Sequence, residues 1–121
     1  MKKYFAEAIG TFVLVFCGTG AIVINHATDG TVTHLGISIT FGLVVMAMIY
    51  TFGSVSGAHI NPAVSIGFAF TDRFAKRDLL PYIIAQFIGA FAASGVLKLL
   101  FPTDKTLGST LPFDTAMQSL Y

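Results

Sequence analysis

Long apolar runs dominate the pattern along the chain, and three of them have the length of a membrane-spanning helix. They cover residues 4–24, 35–52 and 79–101, and Glu7 is the only Asp, Glu, Lys or Arg in the first run. The second run has none, and Lys98 lies near the end of the third, where its side chain can reach the interface. A helix needs roughly 20 apolar residues to cross about 30 Å of hydrocarbon. The pattern therefore predicts three transmembrane α-helices.

Two polar segments separate or follow these runs. Residues 25–34 contain Asp29-Gly30, which is a turn signal. Residues 102–121 contain prolines and a glycine that favour irregular structure, so we expect an exposed loop there.

The segment 53–71 is apolar but is a poor candidate for one continuous helix. Its first half holds two glycines, two serines and an Asn-Pro pair, all of which disfavour helix. The second half is compatible with helix, with Asn61 as a favourable N-cap and Pro62 as a favourable first residue. A helix from Pro62 to residue 71 would be about 15 Å long, which is half of the hydrocarbon core.

Basic residues predict the sidedness of the runs. Lys2 and Lys3 precede the first run and a basic cluster lies in residues 73–77, whereas residues 25–34 contain no Lys or Arg. By the positive-inside rule, the N-terminus and the basic cluster both face the cytoplasm. Two crossings already return the chain to that side before the cluster. The segment 53–71 is therefore predicted to be re-entrant, entering and leaving on one side of the membrane.

The composition supports a membrane protein and narrows its chemistry. The chain is 55% hydrophobic and 11% charged, with a mean hydropathy of +0.78. Typical soluble domains are about 25% charged, and no charged residue lies between Asp29 and Asp72. A net charge of +1 with dispersed basic residues argues against a nucleic-acid partner. The cysteine and the histidines lack metal-ligand spacing, so we expect neither a metal nor a cofactor.

The residues just before and after the start of the half-membrane helix carry the candidate chemistry. An extended run over residues 57–60 would present carbonyl groups at mid-membrane, which is tolerated only beside protein or a watery cavity. The helix that follows aims its positive end at the bilayer centre. Asn61 can cap that helix with its oxygen and leave its NH2 group to face a lumen. These groups favour neutral hydrogen-bonding solutes and disfavour cations and protons.

Three sequence segments resemble a known family. The sequence SGAHINPAV at residues 56–64 closely resembles the first Asn-Pro-Ala signature of the major intrinsic proteins, the aquaporins and glycerol facilitators. The tripeptide corresponds to Asn61, Pro62 and Ala63. Residues 6–11, AEAIGT, are similar to the start of the family's first helix, and AQFIGAF at residues 85–91 is similar to its third.

The resemblance covers nearly the whole chain but only the N-terminal half of a family member. It implies the first of two inverted repeats, each with one Asn-Pro-Ala half-helix that meets the other at the pore centre. It also implies that the carbonyls of Gly57, Ala58 and His59 line the pore, and that complete monomers form homotetramers. We therefore expect a second channel half, with another Asn-Pro-Ala motif, as a partner.

The resemblance also implies roles for two residues of the second run. Phe41 falls where the family's aromatic/arginine filter takes its first residue, and Phe resembles the water-selective members whereas Trp resembles the glycerol facilitators. Val45, one helical turn further on, would face the same lumen. The alternative for Phe41 is a core or lipid-facing position.

Two polar residues of the apolar runs are expected to support the re-entrant loop. The family resemblance has Glu7 accepting hydrogen bonds from the loop backbone, with snorkelling to the cytoplasmic interface as the alternative. The amide of Gln86 is expected to hold the same loop or to make an ordinary interhelical hydrogen bond. For the His59 side chain we expect a packing and hydrogen-bonding role.

These observations predict an all-α membrane protein of three transmembrane helices and one re-entrant half-helix. We expect the first repeat of a passive water channel in the cell membrane, embedded in the lipid bilayer. The alternatives are a facilitator for glycerol or another small neutral solute, and a non-conducting subunit that pairs with another channel half. An enzyme is not expected, because the membrane segments offer no nucleophile, acid–base pair or metal cluster.

Overall fold

The fold consists of helices, of which three are long and apolar. A computed structural model describes residues 1–110, and no strand occurs in that part of the chain. The four helices are α1 (Lys2–Ala27), α2 (Thr33–Ser56), α3 (Pro62–Phe70) and α4 (Lys76–Leu100). Helices α1, α2 and α4 are each long and apolar enough to cross a membrane. Helix α3 has 9 residues, too few to cross. The predicted fold of three transmembrane helices and one half-membrane helix is confirmed.

Helix α1 lies between its two long neighbours. It packs along both α2 and α4, and α3 packs on α4, whereas α2 does not pack along α3 or α4 and meets α4 at the hydrogen bond from Tyr82 to the Ser56 carbonyl. Helices α1 and α4 approach each other closely at Gly89, where an added Cβ would collide with the carbonyl oxygen of Ala8. Small residues at such crossings let two apolar helices pack closely.

Helix α2 extends further than the sequence pattern predicts. The predicted span ended at residue 52, but the helix continues to Ser56. Gly53 does not end it, since its carbonyl accepts the N–H of Gly57 at 3.0 Å. The Ser56 hydroxyl donates to the carboxylate of Glu7 at 2.7 Å. The hydrogen bond from Ser56 to Glu7 of α1 therefore stabilises a last turn of α2 whose own residues disfavour helix.

Helix α4 begins three residues earlier than predicted because α1 binds its first turn. Asp78 accepts hydrogen bonds from Lys3 Nζ at 2.7 Å and from the Tyr4 hydroxyl at 2.8 Å. A carboxylate in the first turn also interacts favourably with the positive end of the helix. This contact fixes the first turn of α4 against the N-terminal turn of α1.

The first part of the predicted exposed loop folds back on α1. Asp104 Oδ1 accepts the N–H groups of Thr106 at 2.8 Å and Leu107 at 2.7 Å, and these donors lower the pKa of the Asp104 carboxyl. Gly108 is buried against Thr19, where a Cβ would come within 2.8 Å of the backbone oxygen. Residues 102–110 are therefore partly packed rather than fully exposed. The remainder of the predicted loop, 111–121, lies outside the described residues.

Candidate functional site

The N-terminus of α3 is built by the Asn-Pro pair. Asn61 is extended, with φ −155° and ψ 127°, and its side-chain oxygen accepts the Ala63 N–H at 2.8 Å. Pro62 occupies the first helical position, where no backbone N–H is needed. Because the cap uses the oxygen of Asn61, the NH2 group of this exposed residue is left to donate elsewhere.

The backbone before Asn61 is not the extended run that the sequence suggested, and that prediction is wrong. Gly57, Ala58 and Ile60 have φ values of 86°, 47° and 43°, in the left-handed region. This region is unfavourable for alanine and more so for a β-branched isoleucine, at about 1–3 kcal/mol for each residue. Strain of this size persists only where surrounding groups hold the conformation.

Glu7 is the group that holds it. Its side chain is 0% exposed, and each carboxylate oxygen accepts two hydrogen bonds. Two donors are backbone groups of the loop, His59 N–H at 2.9 Å and Ile60 N–H at 2.7 Å. The other two are the Ser56 hydroxyl at 2.7 Å and Gln86 Nε2 at 2.8 Å. Glu7 is thus the common acceptor for the loop, the end of α2 and α4.

The orientation of three carbonyl groups follows from these N–H contacts. In a trans peptide the N–H and the preceding C=O point in opposite directions, and residues 1–110 contain no cis peptide. The His59 and Ile60 N–H groups point at Glu7, so the carbonyls of Ala58 and His59 point away from it. The Ala58 N–H donates to Ser56 Oγ at 3.0 Å, which turns the Gly57 carbonyl away from that hydroxyl. All three carbonyls expected to line a pore therefore face away from the buried network.

The side-chain amide of Gln86 joins α4 to α1 and to α3. Its Nε2 donates to Glu7 and also to the hydroxyl of Ser65 at 3.0 Å. Both Gln86 and Ser65 are 0% exposed. One amide thus connects α1, α3 and α4 at the level of the loop.

The side chain of His59 lies in an aromatic cage. Its ring centroid is 4.9 Å from that of Phe68, 4.7 Å from Phe74 and 5.2 Å from Tyr82. Its Nδ1 lies 3.0 Å from Ser65 Oγ. These contacts hold the ring between α3, α4 and their connection, and the residue is buried.

Sequence reasoning missed three polar residues that complete this network. Ser56 and Ser65 bind Glu7 and Gln86, and the Tyr82 hydroxyl donates to the Ser56 carbonyl at 2.7 Å. A signal was available for Tyr82, because it lies four residues before Gln86 and hence on the same face of α4. For the serines the sequence offers no comparable signal.

The two residues predicted on α2 lie apart from this network. The ring of Phe41 packs on Gly18 of α1, where an added Cβ would collide with it. Phe41 and Val45 are both half-buried. Since α2 makes no contact with α3, the described chain does not bring either residue against Asn61.

Three long apolar helices and one half-membrane helix define a multi-pass membrane protein. Residues 1–119 match the family model of the major intrinsic proteins. The chain belongs to the major intrinsic protein family, as the Asn-Pro-Ala segment predicted.

Curated relatives from plants support the same assignment. Aquaporin NIP1-1 of Zea mays is 45% identical over 121 residues, covering 99% of this chain and 43% of its own length. A probable aquaporin NIP-type of Nicotiana alata is 46% identical, covering 99% and 44%. Aquaporin NIP1-3 of Oryza sativa subsp. japonica is 46% identical, covering 98% and 42%. The chain therefore spans less than half of the length of these relatives.

Proposed function

We propose that this chain is the first repeat of a passive water channel, in which the residues around Asn61 form half of the narrow pore. The observation that carries the proposal is the binding of the His59 and Ile60 N–H groups by Glu7. It turns the carbonyls of Ala58 and His59 to the opposite side, and the bond from the Ala58 N–H to Ser56 Oγ turns the Gly57 carbonyl likewise, so that the three can act as a row of acceptors for water.

The charge distribution supports a neutral permeant. The N-terminal end of α3 carries roughly half a positive charge, and it lies next to the row of carbonyls. The Asn61 NH2 group adds a hydrogen-bond donor at the same place. A permeating water can then accept from Asn61 and donate to a carbonyl, whereas a cation meets the positive helix end.

The length of α3 supports the need for a second channel half. Its 9 residues rise about 14 Å, half of the roughly 30 Å core. The matched relatives are more than twice as long as the region they share with this chain. We propose that a second half with another Asn-Pro-Ala motif completes the pore, and that complete units form homotetramers in the lipid bilayer of the cell membrane, with the N-terminus in the cytoplasm.

Stopped-flow swelling of liposomes tests this function. The chain is fused to the C-terminal half of the Zea mays relative, and Asn61→Asp is compared with Asn25→Asp. Asn25 is a matched control because its side-chain oxygen also accepts a backbone N–H, that of Thr33 at 2.9 Å. Asn61→Asp keeps the cap but replaces the donor by negative charge. We expect about a tenfold loss of water flux, equivalent to ~1.4 kcal/mol on the barrier.

The same measurement separates the rival functions. Fast glycerol uptake with slow water flux would identify a solute facilitator instead. Absence of flux for both permeants in a correctly folded fusion would favour a non-conducting partner subunit. Equal water flux in the two asparagine variants would contradict the role of Asn61.

A further inference from the structure

One end of the protein carries a cluster of basic side chains. The first turns of α1 and α4 lie together at that end, because Asp78 accepts hydrogen bonds from Lys3 Nζ at 2.7 Å and from the Tyr4 hydroxyl at 2.8 Å. The connection between α3 and α4 leads directly into the same first turn of α4. The basic residues of these segments are here called the basic patch: Lys2, Lys3, Arg73, Lys76 and Arg77. Helix packing therefore brings together charges from two distant parts of the sequence.

The net charge of this end is positive, whereas that of the opposite end is zero. Residues 1–4 and 71–78 contain five basic and two acidic residues, a difference of +3. Residues 25–34 and 98–110, at the opposite end, contain two basic and two acidic residues. An excess of positive charge at one surface attracts anions.

Most of the positive charge in the basic patch is not neutralised by a neighbouring carboxylate. Lys3 is bound to Asp78, and Lys76 lies 3.6 Å from Asp72 in a pair whose side chains are 73% and 86% exposed. An exposed pair of this kind is weak in water. Within residues 1–110, no carboxylate pairs with the other basic residues of the patch, which are exposed: Lys2, Arg73 and Arg77. These side chains are available to an external anion.

Apolar side chains border the basic patch. Phe5, Phe70 and Leu80 each lie three residues from a basic residue of the patch, on the side of the apolar part of their helix. All three are largely exposed. A soluble anion would gain nothing from exposed apolar groups, whereas a phospholipid presents a phosphate group and acyl chains side by side. The border therefore favours a lipid as the bound anion.

We propose that the basic patch binds the phosphate groups of anionic phospholipids, mainly through Arg73 and Lys76. These two residues line the same open cavity of about 550 Å³ at the connection between α3 and α4, which places both beside one bound headgroup. A guanidinium group can bind two phosphate oxygens, and the lysine ammonium group adds a point charge. In the proposed topology this end faces the cytoplasm, where the membrane leaflet carries anionic lipids. The site does not depend on which solute the chain conducts or on a second channel half.

Native mass spectrometry of the full chain tests the preference for an anionic lipid. The protein is held in detergent micelles that contain equal amounts of phosphatidylglycerol and phosphatidylcholine with the same acyl chains, and the bound lipids are counted. Identical chains cancel the apolar contacts, so the ratio of the two bound lipids reports the headgroup. We expect phosphatidylglycerol to be preferred about tenfold or more, since each Lys or Arg near a membrane surface strengthens the binding of anionic lipid about fivefold.

Two pairs of variants locate the binding at this end. Lys76→Gln should lower the preference about fivefold, whereas Lys105→Gln should leave it unchanged. Both lysines are exposed and both changes remove one charge, but Lys105 lies at the opposite end. Asp72→Asn should raise the preference, because it removes a negative charge beside Lys76. Asp29→Asn is its control, since both aspartates are exposed and have left-handed φ values, 54° and 51°, that asparagine also adopts.

Equal ratios for Lys76→Gln and Lys105→Gln would overturn the proposal. An unchanged ratio in Asp72→Asn would also overturn it, and the expected gain of binding cannot result from loss of the fold. Glycerol phosphate added in solution distinguishes a lipid from a free anion. We expect it not to displace phosphatidylglycerol at equal concentration, because it lacks acyl chains. Displacement would overturn the lipid assignment and indicate a site for soluble phosphate compounds instead.

Discussion

Glu7 on α1 and Gln86 on α4 are joined by a buried hydrogen bond of 2.8 Å, although 79 positions separate them in the sequence. Neither side chain is exposed. Around this pair lie the donors that fix the left-handed loop, so the conformation of residues 57–60 depends on the packing of α1 against α4. The loop and the two helices should therefore lose their structure together.

Glu7→Gln should destabilise the protein strongly. Glutamine would place an NH2 group where one carboxylate oxygen of Glu7 now accepts two hydrogen bonds. The buried donors at that position would then have no acceptor. We expect the free energy of unfolding to fall by about 3 kcal/mol or more, measured by denaturation in mixed micelles. Asp29→Asn is the matched control, because Asp29 is exposed and its left-handed φ of 51° also suits asparagine. Equal stability of Glu7→Gln and the unmodified protein would contradict the central role of this carboxylate.

The Tyr82 hydroxyl should contribute a smaller and separable amount. Tyr82→Phe removes the donor to the buried Ser56 carbonyl and keeps the ring that packs on His59. We expect a loss of about 1–2 kcal/mol in the free energy of unfolding, the scale of one buried hydrogen bond. Tyr50→Phe serves as the control, since Tyr50 is 85% exposed. A loss no larger than that of the control would show that this bond adds nothing to stability.

The extent to which the sequence predicted this structure depends on the range of the interactions involved. The long helices follow from apolar runs, and the start of α3 follows from Asn61 and Pro62, because these signals act within one or two turns. The left-handed loop could not be predicted in that way. Its conformation is imposed by Glu7, which lies 52 positions from His59 in the sequence. The aromatic cage of His59 likewise combines residues from α3, α4 and their connection, which no local pattern links.

The membrane topology can be tested by cysteine labelling. Single cysteines at Thr28 and Lys76, in a Cys17→Ala background, should react with an impermeant reagent from opposite sides. Both positions are exposed, so access does not limit the reaction. The reason for the expectation is that α1, α2 and a re-entrant α3 together place the two positions on different sides. Labelling of both from one side would refute the re-entrant arrangement.

Phe41 should restrict the size of the permeant in a complete channel. In the fusion with the second half of the Zea mays relative, Phe41→Ala should widen the filter and raise glycerol uptake. Removing the ring also leaves a space over Gly18, so correct folding is checked by the elution profile in detergent. Phe91→Ala is the control, because Phe91 is 72% exposed on α4. Glycerol uptake that matches the control would mean that Phe41 does not lie at the constriction.

These 121 residues alone should not form a family-type pore. One half-helix covers about half of the hydrocarbon core, so a second copy could complete the pore only by inserting upside down. The charge distribution opposes inverted insertion, because a protein that inserts in both orientations should carry similar numbers of basic residues on the two sides of the membrane. Here the predicted topology divides them unequally: Lys2, Lys3, Arg73, Lys76 and Arg77 on one side, and Lys98 and Lys105 on the other.

Swelling of liposomes that contain only this chain provides the measurement. We expect water flux no faster than that of empty liposomes, because each copy presents the same end of α3 from the same side. Without a second channel half, the loop carbonyls that face away from Glu7 would have no pore to line. An unpaired carbonyl group in lipid is unfavourable by about several kcal/mol. The isolated chain should therefore also unfold more readily than its fusion to a second half. Fast water flux that disappears in Asn61→Asp and persists in Asn25→Asp would overturn this prediction, since it would require an antiparallel homodimer whose two copies of α3 meet at mid-membrane.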